Sequence, residues 1–244
     1  MARADEIEAH YAGGALRSRT RPGTDELHVR GREATLELAA LAELREGERV
    51  LDVGAGLGGP ARTLAERYGV RVVGVDLTAA FVEAARELTR KVGLDDRIEF
   101  VHADALALPF PDDSFDVAWT QHAAMNVPDK AGLYAELHRV VRPGGRLAVY
   151  DVVAGAGGEP EYPLPWASRR ELSFLVSAEE LRRLLEGAGF RVGAVRDVSD
   201  SGRAWSQARA AEEAGPAFAN LGRALEDGRL ELVQLVAATD GADG

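Results

Sequence analysis

Glycines crowd the point where a predicted strand meets a predicted helix, and their spacing could hold a nucleotide-like ligand. The run is Gly54-Ala-Gly-Leu-Gly-Gly59. Glycine lets a chain turn sharply and lets a ligand approach the backbone amides at a helix N-terminus. The run fits the dinucleotide-binding spacing G-x-G-x-x-G, and it also fits G-x-G-x-G. The glycines alone therefore leave the ligand open.

Asp52 lies two residues before the first glycine and narrows the class of ligand. A dinucleotide would place its pyrophosphate close to this position, and a carboxylate repels phosphate more strongly in a cleft than in open water. A ligand with a sulfonium and an amino group brings positive charge and no phosphate. Asp52 therefore favours a cationic ligand, with a surface or capping role as the alternative.

Two further carboxylates follow the next two predicted strands. Asp76 ends the second strand, 20 residues after Gly56, where a carboxylate can accept hydrogen bonds from both hydroxyls of an adenosine ribose. Asp104 follows the third strand and could accept a hydrogen bond from an adenine amino group, with Leu77 and Leu106 on the two faces of the ring. The alternatives are helix capping for Asp76 and loop capping for Asp104. Acidic residues at three successive strand ends predict an adenosine-containing ligand.

Alternating apolar runs and amphipathic stretches predict the elements that position these residues. Short apolar runs indicate buried strands, and apolar residues three or four apart indicate helices. Such β-α-β alternation predicts an α/β fold, with a parallel sheet covered on both faces. We expect one domain over 1–244, with a helical cap (1–45), a cofactor-binding core (46–153) and a substrate-side segment (154–244). Predicted strands cover 50–53, 70–75, 98–102, 115–120, 146–153, 190–198 and 230–238; predicted helices begin at Pro60 and cover 78–92, 130–141, 178–188 and 205–225.

The composition argues against several classes of partner and site. Lys and Arg number 29 against 40 Asp and Glu, and the formal net charge of −11 disfavours nucleic acid as a partner. The chain has no cysteine, and so it has no disulfide, no thiol nucleophile and no cysteine-bound metal. No apolar run approaches the roughly 20 residues that span a bilayer. We expect a cytoplasmic monomer or homodimer that binds neither a membrane nor a metal.

Five segments, in order along the chain, resemble the motifs of class I S-adenosylmethionine-dependent methyltransferases. Two more resemble the sarcosine/dimethylglycine N-methyltransferase group of that superfamily. The resemblance implies a Rossmann-like, doubly wound sheet of seven strands in the order 3-2-1-4-5-7-6, with the last strand antiparallel. The five segments are Leu51-Asp-Val-Gly-Ala-Gly-Leu-Gly-Gly, Val75-Asp-Leu-Thr, His102-Ala-Asp-Ala, Ser114-Phe-Asp-Val-Ala-Trp-Thr-Gln-His and Leu137-His-Arg-Val-Val-Arg-Pro-Gly-Gly; the two are Thr120-Gln-His-Ala-Ala-Met-Asn-Val-Pro-Asp-Lys and Tyr162-Pro-Leu-Pro-Trp.

By this resemblance the cofactor is S-adenosylmethionine, and different residues at the strand ends would bind its different parts. The methionine part would lie on the glycine run, the adenosine part on the two later carboxylates, and the sulfonium beside the fourth strand. The residues implied are Gly54, Ala55 and Gly56 for the methionine part, Asp52 for its amino group, Asp76 and Leu77 for the ribose and adenine, Asp104 and Ala105 for the adenine amino edge, and Gln121 and His122 near the sulfonium.

The residues that would handle the acceptor are implied in the same way. His122 is either a general base for a phenol or acid acceptor or a wall of the channel. Tyr11 either folds over the cofactor or packs within the cap. Arg32 could clamp a substrate carboxylate at the mouth of the site. The catalytic candidates are therefore His122, Tyr11 and Gln121, and the substrate-binding candidates, each of which could equally be a packing residue, are Arg32, Met125, Asn126 and Trp166.

The function expected from these features is methyl transfer from S-adenosylmethionine to a small molecule, preferably to an amine such as a glycine derivative. Methylation of oxygen or carbon on a metabolite is the alternative within the class. An NAD(P)-dependent oxidoreductase and a non-catalytic S-adenosylmethionine-binding regulator are the alternatives outside it. Asp52 opposes the oxidoreductase, although the glycine spacing permits it.

Overall fold

The computed structural model describes residues 25–210 and 215–241, which form a central β-sheet flanked by helices. Two short 3-10 turns, Ala124–Asn126 and Arg170–Leu172, interrupt the connections. The elements are α1 Gly31–Leu41, β1 Arg49–Val53, α2 Gly59–Tyr68, β2 Arg71–Asp76, α3 Ala79–Lys91, β3 Ile98–His102, β4 Phe115–Gln121, α4 Lys130–Val140, β5 Val141–Ala154, α5 Ala178–Gly187, β6 Arg191–Val192, β7 Arg196–Asp197, α6 Ser199–Ala210, α7 Pro216–Glu226 and β8 Leu230–Ala238.

The sheet confirms the predicted α/β class and strand order. Its order is β3-β2-β1-β4-β5-β8-β6, and β7 also pairs with β8. The first five strands pair in parallel, whereas β8 runs antiparallel to β5 and to β6. The arrangement is the predicted 3-2-1-4-5-7-6, with the predicted sixth strand present as the two short strands β6 and β7.

Three predicted elements differ from the structure in their bounds. The strand predicted over 190–198 is split, because the five residues from Val192 to Arg196 face only four on β8 and the extra residue breaks the ladder. β5 begins at Val141, and its pairing with β4 shifts register beyond that residue, so the Arg-Pro-Gly-Gly stop signal lies inside the strand. The helical stretch 205–225 is two helices, with Pro216 opening the second.

Local chemistry explains several helix ends. Pro60 lies in the first turn of α2, where its missing N–H breaks no hydrogen bond, and Gly69 ends that helix with φ 67°. Asp129 caps α4 by accepting a hydrogen bond from the Gly132 N–H at 2.9 Å. Ser177 caps α5 in the same way, through the Glu180 N–H at 3.1 Å.

Apolar side chains form one core on each face of the sheet. Successive residues of a strand point to opposite faces, so Leu147 and Val149 join one core while Ala148 and Tyr150 join the other. Helices α1, α2, α3 and α7 contribute to the Tyr150 core, and α4 and α5 contribute to the Val149 core. This layering brings the carboxyl ends of β1, β2 and β4 to one edge of the sheet. No helix among the described residues is both long and apolar enough to cross a membrane.

Candidate active site

A pocket opens at the carboxyl edge of β1, β2 and β4. Its walls include most of the site residues expected from the sequence, brought together from segments between residues 52 and 166. Arg32 is not among them, and Tyr11 lies outside the described residues. The predicted residues that line the pocket are Asp52, Gly54, Ala55, Gly56, Asp76, Leu77, Asp104, Ala105, Gln121, His122, Met125, Asn126 and Trp166.

The glycine run turns the chain away from β1 and leaves its backbone open to the pocket. Gly54 has φ 78°, and a β-carbon there would lie 2.4 Å from the Ala123 Cβ, so only glycine fits. The N–H groups of Gly54 and Ala55 donate to the Val75 carbonyl at 2.9 and 3.0 Å, which holds the turn against β2. Gly56 also has a positive φ, of 53°. The turn therefore forms a narrow cradle that a side chain would fill.

Asp76 ties the glycine run to the start of α3. Its Oδ2 accepts a hydrogen bond from the Gly56 N–H, and its Oδ1 accepts one from the Thr78 N–H, both at 2.8 Å. Burial raises the pKa of Asp76, and these two N–H groups lower it in part. The capping alternative is thus present alongside the pocket-lining position, because each carboxylate oxygen has a further lone pair.

Asp52 is a residue of the pocket wall whose burial strongly opposes its ionisation. Its side chain is buried, and its Oδ2 has no hydrogen-bond partner among the described residues. Burial raises its pKa to about 8, and the nearby carboxylates of Asp76 and Glu26 add to the effect. A ligand ammonium would satisfy the oxygen and remove the repulsion. The orphaned oxygen and the glycine cradle together fit the amino-acid end of S-adenosylmethionine.

Asp104, the third of the predicted carboxylates, differs from Asp52 in its exposure to solvent. Asp104 is exposed, and its Oδ1 accepts a hydrogen bond from the Leu106 N–H at 2.9 Å, as in a capped turn. Leu106 does not line the pocket, contrary to the prediction that it covers one face of an adenine ring. Phe81 of α3 lines it instead, together with Leu77 and Ala105.

Two histidines and a glutamine meet in the wall beside β4. Gln121 is buried; its Oε1 accepts a hydrogen bond from the Trp119 Nε1 at 2.9 Å, and its Nε2 lies 3.3 Å from His28 Nε2. The rings of His28 and His122 are 6.0 Å apart, and the His122 ring lies 4.6 Å from that of Tyr150. His28 is not among the site residues expected from the sequence, because nothing in a lone histidine before α1 indicates that it returns to β4.

Hydrogen bonds indicate where the proton sits on each histidine. His28 Nε2 lies 2.9 Å from the Gly31 carbonyl oxygen, which can only accept, so this nitrogen carries the proton and Nδ1 is the acceptor. His122 Nδ1 accepts from the Val29 N–H at 3.5 Å, so its buried Nε2 carries the proton. Burial lowers the pKa of His28 to about 4 and that of His122 well below 6.5. Both rings are therefore neutral at pH 7.

The remaining walls are apolar and aromatic. Met125 comes from the 3-10 turn after β4, Trp166 from the loop after β5, Trp205 from α6, and Phe218 with Leu221 from α7. Trp166 donates from Nε1 to the Ser173 Oγ at 3.0 Å, which fixes its ring. The sequence left the role of residues 201–228 open, because helical periodicity does not tell which neighbour a helix packs against. The structure places Trp205, Phe218 and Leu221 of that segment in the pocket wall.

The structure places Arg32 outside the residues that line this pocket. It lies on the exposed side of α1 and pairs with Glu66 of α2 at 2.6 Å, beside a separate shallow groove. Arg30 is buried but bound to Glu37 by two hydrogen bonds of 2.6 and 2.7 Å, and it does not line the pocket either. Among the described residues, the charged side chains of the pocket wall are all acidic: Asp25, Asp52, Asp76 and Asp104.

Within residues 25–210 and 215–241 no three His, Asp or Glu side chains are grouped as a metal site would require.

Comparisons with known proteins agree with this architecture. Residues 51–149 match a family model described as a methyltransferase domain. The 27-O-demethylrifamycin SV methyltransferase of Amycolatopsis mediterranei is 37% identical over 178 residues, which is 71% of this chain and 65% of that protein. In this and seven other curated relatives, the alignment spans less than two thirds of the relative's length.

Solved structures extend the match over most of the chain. The [4+2]-cyclase SpnF is 28% identical with a TM-score of 0.71, covering 86% of this chain and 81% of that one. A Galdieria sulphuraria protein provisionally described as a sarcosine dimethylglycine methyltransferase is 25% identical with a TM-score of 0.69, covering 86% of this chain and 85% of that one. With the sheet order and the family match over residues 51–149, these likenesses show that the chain contains a methyltransferase domain with the class I fold.

Proposed function

We propose that the chain transfers a methyl group from S-adenosylmethionine to a hydroxyl group of a small-molecule acceptor. The observation that carries this proposal is the neutral histidine pair, His28 and His122, in the wall of the same pocket as Asp52 and the glycine cradle. A hydroxyl must lose its proton as it is methylated, and a neutral imidazole within reach can take that proton. The relative that methylates an oxygen, by its name, supports the same choice of acceptor atom.

The residues of the cradle would hold the cofactor by its methionine end. Asp52 would neutralise the amino group, the backbone of Gly54 and Gly56 would lie against the chain of the ligand, and Asp76 would accept from the ribose hydroxyls. S-adenosylmethionine, when bound, supplies a methyl group already activated by its sulfonium, so the protein's main task is to align the acceptor in a site that excludes water.

The two histidines would divide the proton chemistry. His28 Nδ1 is an acceptor atom, and it would take the proton from the acceptor hydroxyl. His122 Nε2 carries a proton, and it would donate a hydrogen bond that orients the acceptor oxygen. The Gly31 carbonyl holds His28 by accepting from its Nε2–H at 2.9 Å, and Gln121 packs beside the ring from the β4 side. This assignment moves the base expected at His122 to the neighbouring ring.

An amine acceptor is the second candidate. The acidic wall and the sarcosine dimethylglycine neighbour favour it. A glycine derivative would also bring a carboxylate, and the described pocket wall offers that carboxylate no arginine or lysine. A neutral amine also needs no base to be methylated, so an amine acceptor would not explain the presence of the histidine pair.

The test combines cofactor binding with product detection. S-adenosylhomocysteine should bind in calorimetry and raise the melting temperature, since a ligand that binds only the folded state stabilises it. A panel of phenols, alcohols, sarcosine and dimethylglycine is then incubated with S-adenosylmethionine, and products are sought by mass spectrometry. We expect O-methylated products and equimolar S-adenosylhomocysteine.

Each competing function predicts a different result. Stabilisation by NADH or NADPH, with none by S-adenosylhomocysteine, would overturn the proposal in favour of an oxidoreductase. Cofactor binding with no methyl transfer to any acceptor would indicate a regulator, or an activity such as that named for the cyclase neighbour. Products from sarcosine or dimethylglycine alone would make the amine the acceptor.

A further inference from the structure

Two helices outside the cofactor-binding core form part of the acceptor wall. α6 contributes Trp205, and α7 contributes Phe218 and Leu221. The Trp205 and Phe218 rings lie 6.4 Å apart and are tilted by 55°, so they form one continuous aromatic surface. Leu221 is buried beneath it. These residues do not belong to the cradle that fits the cofactor.

Two contacts hold this aromatic surface in place. α6 lies so close to β8 that a β-carbon at Gly202 would be 2.1 Å from Leu232 Cδ1. The buried Asn220 donates from Nδ2 to the Pro163 carbonyl at 2.9 Å, which ties α7 to the loop that carries Trp166. The three aromatic walls are therefore fixed relative to one another before any ligand arrives, and that lowers the cost of binding a rigid molecule.

The charges around the pocket exclude one class of acceptor. The cations nearest in sequence or space have partners of their own: Arg62 pairs with Asp25 at 2.6 Å, Arg32 with Glu66, and Arg30 with Glu37. Among residues 25–210 and 215–241, the pocket wall has four carboxylates and no arginine or lysine. A buried carboxylate or phosphate group would find no arginine or lysine as counter-charge among these described wall residues.

We propose that the acceptor is an uncharged molecule with an apolar ring scaffold, and that Trp205 and Phe218 select it. The inference rests on the proposed methyl transfer and adds the chemical class of the substrate. Trp166 and Met125 line the same pocket and would also contact the scaffold, with the hydroxyl to be methylated facing the histidine pair. Anionic and zwitterionic acceptors, amino acids among them, are disfavoured, because the described part of the pocket wall holds no arginine or lysine.

The test uses two probes that differ in one charge. 2-Naphthol is an uncharged bicyclic phenol, and 6-hydroxy-2-naphthoate is the same scaffold with a carboxylate. Calorimetry measures the binding of each to the protein saturated with S-adenosylhomocysteine. We expect 2-naphthol to bind at least about tenfold more tightly, because the carboxylate has no partner. Mass spectrometry after turnover should show 2-methoxynaphthalene as the main product of the pair.

Single-residue variants then test whether Trp205 and Phe218 are the residues that bind the acceptor. Trp205→Ala and Phe218→Ala should each weaken 2-naphthol binding about fivefold, a magnitude typical of losing one aromatic contact, and leave the S-adenosylhomocysteine dissociation constant within about twofold. Phe110→Ala is the matched control: Phe110 is a half-buried ring that packs on Phe115 and does not line the pocket. It should change neither dissociation constant.

The outcomes separate this inference from the function on which it rests. Equal or tighter binding of 6-hydroxy-2-naphthoate by the unmodified protein would overturn the inference without any variant. Folded Trp205→Ala and Phe218→Ala proteins that bind 2-naphthol normally would also overturn it. Methyl transfer to charged acceptors only would refute the inference and leave the methyltransferase standing. Failure of S-adenosylhomocysteine to bind would overturn the proposed function and this inference with it.

Discussion

At the scale of single residues, Asp52 is the clearest case of a side chain that is unfavourable for the folded protein and useful for its ligand. Its carboxyl group is buried, its Oδ2 has no hydrogen-bond partner among the described residues, and burial raises its pKa to about 8. A folded-state pKa above the unfolded value means that the folded protein holds the proton more tightly. Stability therefore decreases as pH rises from about 4 to about 8, by the proton linkage of this group.

Asp52→Asn should stabilise the ligand-free protein and weaken cofactor binding. The amide cannot ionise, so we expect a gain of about 1–3 kcal/mol in the free energy of unfolding at pH 8 and little gain at pH 4. Binding of S-adenosylhomocysteine should weaken at least about tenfold, because a charged hydrogen bond to the ligand amino group is lost. Urea unfolding at both pH values and calorimetry at pH 8 measure the two effects. An unchanged affinity would return Asp52 to a structural role.

The histidine pair makes a second prediction at this scale. His28→Gln should lower kcat/KM by about a hundredfold or more, the usual loss when a general base is removed, at an unchanged affinity for S-adenosylhomocysteine. Because the pKa of His28 is about 4, the wild-type activity should fall on acidification only well below pH 6.5. His138→Gln, at a histidine that packs on Phe190 away from the pocket, should have no effect.

His122 provides the internal comparison for that experiment. Its backbone φ of 50° is left-handed, a conformation that asparagine tolerates, so His122→Asn keeps the backbone unstrained. If His122 only orients the acceptor, this variant should retain more activity than His28→Gln. The reverse order would restore His122 as the base.

At the scale of elements, Lys130 connects the start of α4 to the pocket wall. It is buried, and its Nζ donates to the carbonyls of Ala124 and Val127, which bracket the 3-10 turn that carries Met125. The lysine charge also opposes the rise in pKa that burial imposes on Asp151, whose pKa is about 7. A single side chain thus holds one wall of the pocket and moderates a buried carboxylate.

Lys130→Met should raise KM for the acceptor and destabilise the protein by about 1–3 kcal/mol, since two carbonyls lose their donor. Without the lysine the pKa of Asp151 rises further above its unfolded value, and the loss of stability should be larger at pH 8 than at pH 5. Adding Asp151→Asn should remove that extra pH dependence. Urea unfolding of the single and double variants at both pH values is the measurement. A loss of stability that does not depend on pH would show that Lys130 does not act on the pKa of Asp151.

At the scale of the whole molecule, the cofactor side of the pocket was predictable and the acceptor side was not. Parallel strands end at one edge of a sheet, so finding Asp52, Asp76 and Gln121 at strand ends already placed them together. Trp205 and Phe218 reach the pocket only because α6 and α7 pack against β8, and no local pattern encodes that docking. Arg32 lies outside the pocket for a related reason: no local pattern shows that its side chain pairs with Glu66 of α2.

The distances along the chain between contacting walls have a consequence for the order of folding. The Tyr150 hydroxyl donates to the Val29 carbonyl at 3.1 Å across 121 residues, and the Gln234 amide donates to the Ala34 carbonyl at 3.2 Å across 200 residues. Such non-local contacts form slowly, because closing a long loop costs entropy before the contact can stabilise the chain. During refolding, helical circular dichroism should therefore recover before the protein gains the ability to bind S-adenosylhomocysteine. In stopped-flow experiments the binding signal would be the last to appear. Binding of S-adenosylhomocysteine would then report the formation of these long-range contacts rather than the formation of the core.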